Sequence, residues 1–77
     1  MGKPMIVVGS ITYAMKGRNI LLRHGIQCSI ERIYHSADNG CGYSIYVFLP
    51  QRANEAERIL RQSGIPVVRR EERGDRV

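Results

Sequence analysis

Seventy-seven residues, 43% apolar and 25% charged, have the make-up of one small soluble domain, and no apolar run approaches the ~20 residues a membrane span needs. A chain of this size buries only about 60% of the surface its unfolded form exposes, so a site is expected on a loop edge or at a subunit interface rather than in a deep pocket. The net charge of +5 suits an anionic partner, but the cations are scattered (Lys16, Arg18, Arg23, Arg32, Arg52, Arg58, Arg61), which speaks against specific nucleic-acid binding.

The first apolar stretch, Met5 to Val8, is too short for a signal-peptide core, and no cleavage pattern follows it. The expected location is therefore the cytoplasm, where both cysteines stay reduced unless one is redox-active. Met5–Gly9 is short, β-branched and preceded by Pro4, which predicts a strand. Ser10 and Thr12 are candidate N-caps for a helix running to about His24, with Ala14, Gly17 and Leu21 at helical spacing toward a sheet. Gly25 supplies the helix stop. Ile26, Cys28 and Ile30 alternate with Gln27, Ser29 and Glu31, as in a half-buried strand, and make Cys28 a small core residue.

Residues Tyr34, His35, Ser36, Ala37, Asp38 and Asn39 read as a polar loop. It leads into Gly40-Cys41-Gly42, a cysteine whose glycine neighbours leave the thiol unshielded and the backbone open. Tyr43–Leu49 is a second apolar strand, closed by Pro50. A helix follows over about Arg52–Ser63, with Ala53, Ala56 and Leu60 inward and Gly64 as its stop. Ile65–Val68 is the expected last strand, at an edge because of Pro66. Residues 69–77 are nearly all charged and read as a disordered tail after a single domain of residues 1–68.

The halves repeat. A shift of 39 residues aligns Ile6 with Ile45, Val8 with Val47, Ala14 with Ala53, Gly17 with Ala56, Leu21 with Leu60, Gly25 with Gly64 and Ile26 with Ile65. Two strand–helix–strand units give βαββαβ. Right-handed crossovers then predict an α+β, ferredoxin-like fold: a four-stranded antiparallel sheet ordered 4-1-3-2 with both helices on one face.

In that arrangement the start of the third strand lies beside the end of the first. Cys41 therefore approaches Gly9, Ser10 and Thr12 at the opening of the first helix, where free N–H groups and the helix dipole favour an anion. Such a setting lowers a thiol pKa. Gly9, Ser10, Thr12, Gly40 and Gly42 are the candidate support for that anion, with capping as the alternative role of Ser10 and Thr12. His35 is a candidate proton donor. One His, one Asp and one Cys without paired spacing do not make a metal site, and no cofactor motif is present. Cys28 falls near the other end of its strand, out of disulfide reach of Cys41. Tyr46 and Phe48 face away from the helices. They lack the basic-glycine-aromatic signature of an RNA-recognition module, so that open sheet face is expected to serve a homodimer or partner contact.

Gly9-Ser10-Ile11-Thr12-Tyr13-Ala14-Met15-Lys16, then Leu21-Leu22-Arg23-His24-Gly25-Ile26, then Cys41-Gly42-Tyr43, resemble the small bacterial proteins classed as selenium/sulfur-carrier-like, over about residues 5–68. The resemblance implies that the cysteine before the glycine, here Cys41, accepts sulfur or selenium and passes it to partner proteins. The chain would then be a carrier rather than an enzyme in its own right. The residues by themselves also allow a small dimeric ligand-binding or regulatory module, and less readily an RNA binder.

Overall fold

The computed structural model describes residues 3–35 and 40–73, with side chains at 4–32 and 42–71. Its elements are β1 (Lys3–Val7), α1 (Ile11–Arg23), β2 (Cys28–His35), β3 (Gly40–Val47), a 3-10 turn (Pro50–Arg52), α2 (Ala53–Gln62) and β4 (Arg69–Arg73). The four strands form one antiparallel sheet ordered β2-β3-β1-β4, the expected 4-1-3-2 read from its other edge.

The repeat is visible in the pairing. Ile6 and Ile45, equivalent under the 39-residue shift, are direct cross-strand partners, so an approximate two-fold axis passes between them. Both helices end alike. Ile26 N–H donates to Leu21 O at 2.9 Å, and Ile65 N–H donates to Leu60 O at 2.9 Å. Each closure turns through a glycine in the left-handed region, Gly25 at φ 78° and Gly64 at φ 85°, where a side chain would be strained.

One core lies between the sheet and the helices. Ile6, Val8, Cys28, Ile45 and Val47 from the sheet meet Ala14, Leu21, Ala56 and Leu60 from the helices, with Ile26 and Ile65 closing its ends. Gly17 has no room for a side chain: a Cβ there would stand 2.8 Å from Ile45 Cδ1 and 3.0 Å from Leu60 Cδ2. Arg52 ties the helices at their other end, donating to Gly25 O at 3.1 Å while it pairs with Glu55 at 3.0 Å.

Three expectations need correction. Tyr34 and His35 belong to β2 rather than to a loop, and β3 starts at Gly40, so Cys41 lies within a strand instead of ahead of one. The last strand is Arg69–Arg73, not Ile65–Val68. Ile65 is spent on closing α2, and Pro66 has no N–H to give to a ladder. Val68 N–H makes the first bond to β1, to Val7 O at 2.7 Å, and the charged residues continue the pairing. Those charges suit an edge. Arg69 pairs with Glu71 at 2.6 Å, and Arg70 reaches across to Glu57 of α2 at 3.2 Å.

The other sheet face carries Met5, Val7, Ser44 and Tyr46. Met5 and Val7 are buried among their cross-strand neighbours, Tyr46 with Glu71 and Ser44 with Arg69. Ser44 is wholly buried, and its Oγ has no hydrogen-bond partner. An unmade bond at a buried hydroxyl costs about 1–3 kcal/mol. Ser44→Ala is therefore expected to raise the melting temperature by a few degrees in a calorimetric scan. A lower melting temperature would show that the hydroxyl is satisfied in solution.

Candidate functional site

The site begins with a turn that only glycine enters freely. Gly9 follows β1 with φ 89° and swings the chain from the sheet into α1. Ser10 is the N-cap, with extended backbone (φ −133°, ψ 155°), and its Oγ accepts from Tyr13 N–H at 3.2 Å. Thr12, the other candidate cap, sits inside the first turn of α1 with its side chain exposed and does not cap. No acidic residue lies in that first turn, so the positive end of the helix dipole is not offset by its own side chains.

The third strand meets this turn through its backbone. Tyr43 O accepts from Val8 N–H at 2.9 Å and from Gly9 N–H at 3.3 Å. A Cβ built on Gly42 would lie 3.9 Å from Gly9 Cα, an ordinary contact, so packing does not restrict position 42 to glycine. Gly9 and Gly42 are thus brought together, with Ser10 the residue after Gly9 and Cys41 the residue before Gly42 on β3. Gly40 pairs with His35, and Cys41 pairs with Tyr34. The side chains of Cys41 and His35, and Ser36 to Asn39 between the strands, lie outside the described residues. The Tyr43 carbonyl that latches β3 to the Gly9 turn was not foreseen. A backbone acceptor leaves no mark in a sequence.

Cys28 is the contrasting thiol. It is 8% exposed, within the core, and its Sγ stands 4.0 Å from Arg18 O. Burial pushes the Cys28 thiol up, and the nearby Arg18 charge offsets only part of that. It pairs with Val47, whereas Cys41 pairs with Tyr34. Six residues of β2 separate the two register positions, about 20 Å at strand spacing, too far for a disulfide within the chain.

Among the described residues, no three His, Cys, Asp or Glu side chains gather as they would around a metal ion. No described helix is long and apolar enough to cross a membrane. On the open face, Tyr46 and Phe48 are in tilted contact with centroids 5.1 Å apart, and Phe48 is 45% exposed.

A family model described as "Putative Se/S carrier protein-like" matches residues 3–69. No curated protein and no solved structure matches the chain.

Proposed function

The chain belongs to the Se/S carrier protein-like family, and from that premise we propose that it carries sulfur or selenium on Cys41, as a persulfide or selenopersulfide held beside the N-terminus of α1. The observation that carries this reading is the latch between the strands: the Val8 and Gly9 amides both donate to Tyr43 O. It sets the start of β3 against the turn that opens α1, two residues from Cys41. A sulfur anion there would lie near the positive end of a helix whose own first turn carries no acid.

Loading balances without an external oxidant. The Cys41 thiolate attacks the outer sulfur of a donor persulfide, the donor's S–S bond breaks, its thiolate leaves, and Cys41 retains the outer sulfur. Handing on is the same exchange with an acceptor thiolate. Neither step needs a second cysteine, which fits the burial of Cys28 and the register that separates the two thiols. The reading takes the cytoplasm as its compartment, since thiols are kept reduced there. It also takes donor and acceptor proteins as the carrier's partners. The strand order and the two helices agree with a ferredoxin-like arrangement.

Two measurements test the proposal. Intact mass spectrometry of protein purified without reductant is expected to show a fraction heavier by one sulfur or one selenium atom, mapped to Cys41. The rate of Cys41 alkylation against pH is expected to give a pKa below the free-thiol value of about 8.5, because a neighbouring partial positive charge favours the thiolate. A value at or above that would remove the physical basis of the site.

A second reading rests on the open sheet face, where Tyr46, the cross-strand partner of Met5, forms an aromatic pair with the exposed Phe48. A homodimer through this face would serve a ligand-binding module in which Cys41 is incidental. Light scattering that returns the monomer mass up to millimolar concentration would end it.

A further inference from the structure

The two helices are repeat-related, yet their charges differ. Residues 11–23 of α1 carry Lys16, Arg18 and Arg23 and no acid. Residues 53–62 of α2 carry Glu55 and Glu57 with Arg58 and Arg61, and both carboxylates are engaged: Arg52 with Glu55 at 3.0 Å, Arg61 and Arg70 with Glu57 at 2.8 and 3.2 Å. Those cations hold the Glu55 and Glu57 carboxyls below the usual carboxylate range. Lys16 and Arg23 are exposed, and no described carboxylate stands within salt-bridge distance of either.

These two cations flank a groove of about 370 Å³ between α1 and the turn that ends α2. Its apolar side is Ile20 with Ile65. Tyr13 and Asn19 line it on α1, and Ser63 lines the opposite wall. Tyr13, which lines it, donates its N–H to the Ser10 cap next to the Gly9 turn. The groove alongside α2, lined by Asn54, Glu57, Arg58, Arg61 and Gln62, contains its own acid.

We propose that the groove between Lys16 and Arg23 docks an acidic segment of a partner protein. The charge calls for carboxylates, and the spacing calls for two of them. Seven residues of helix separate Lys16 from Arg23, about 10.5 Å along the axis, beyond the span of one phosphate or carboxylate group. The apolar floor between the cations fits a hydrophobic side chain set between the two acids. A nucleic-acid backbone offers nothing apolar at that point and prefers a longer run of cations. The proposal deepens the carrier reading by giving the chemistry of the donor or acceptor, and it rests on that reading for the partner's purpose alone, since no residue of the groove is a cysteine.

The probe is a synthetic peptide cross-linked to hold a helix, with two Glu seven residues apart and a Leu midway on the same face, so that its carboxylates match the spacing of about 10.5 Å. Its rearranged form with adjacent Glu, a uridine oligonucleotide and inorganic phosphate serve as comparisons. Each is titrated at low salt into the isotope-labelled full chain, with amide shifts as the readout. The first peptide is expected to bind more tightly than the other three and to move Tyr13 to Arg23 and Ser63 to Ile65. Lys16→Glu and Arg23→Glu are each expected to weaken it at least about fivefold, whereas Arg58→Glu, an equal change of charge, alters it less than about twofold. Both exposed positions should tolerate the change, and a matching thermal melt checks this. Equal binding of the rearranged peptide, an equal loss in Arg58→Glu, tighter binding of the oligonucleotide or of phosphate, or no binding at low salt overturns the proposal. Repeating the titration with Cys41→Ser separates the two hypotheses, because docking is expected to be unchanged there even where sulfur loading fails.

Discussion

Gly17→Leu is expected to leave too little stability for the fold to persist at room temperature. Position 17 is a buried point of α1 that faces both the sheet and the sister helix. A Cβ alone would stand 2.8 Å from Ile45 Cδ1 and 3.0 Å from Leu60 Cδ2, and neither Ile45 nor Leu60 has any exposed surface into which to turn. Overpacking by single methylenes costs about 1–3 kcal/mol, and leucine adds three carbons beyond Cβ. A chain of 77 residues has a total stability of only about 4–12 kcal/mol. Gly17→Ala marks the lower bound. It gains about 1 kcal/mol of helix propensity and loses about 1–3 kcal/mol to the contact, so a fall of up to roughly 15 °C is expected. Urea titration followed by circular dichroism checks both variants. A midpoint for Gly17→Leu close to that of the unsubstituted chain would mean that α1 lifts from the sheet at little cost.

Gly17 also illustrates what a sequence of this kind discloses. Its alignment with Ala56 marks both positions as small and sheet-facing, and the repeat carries the strand order, the helix spans to within a residue or two, both glycine stops and nearly all the core. These features are periodic, and periodicity is what apolar burial writes into a chain. The last strand is of a different kind. Arg69 to Arg73 pair with β1 through backbone groups, which every residue type supplies, while the side chains of Arg69 and Arg70 meet Glu71, Asn54 and Glu57 at the surface. Composition alone makes such a segment look like a solvated tail. The length of the β2–β3 hairpin was hidden for a related reason, since His35, Gly40 and Gly42 carry no strand pattern yet fall in register. Of the candidate site, the approach of Gly42 to Gly9 followed from topology. The double acceptor at Tyr43 O, which holds that approach in place, belongs to the backbone and could not be read beforehand.

Cys41→Ser is expected to abolish loading by a low-molecular-weight persulfide, while Cys28→Ala loads as the unsubstituted chain does. A serine hydroxyl cannot form the S–S bond that retains the outer sulfur, so no residual loading at position 41 is expected. Cys28 fails as a substitute for two separate reasons. It lies in the core, 8% exposed, where a donor persulfide cannot approach along the S–S axis. Burial also raises its pKa, so less of it than of an ordinary thiol is thiolate at neutral pH, and the thiolate is the nucleophile. The Arg18 charge works against that rise but is the smaller of the two influences. Cys28→Ala removes one sulfur from a packed site and should cost no more than about 1–2 kcal/mol, with the fold retained. Intact mass after donor treatment, with circular dichroism as the check on folding, reads both variants. Loading that survives Cys41→Ser and disappears in Cys28→Ala would move the carrier thiol into the core. That outcome would require α1 to open away from β2 during transfer, because Cys28 Sγ lies against Arg18 O in the closed fold.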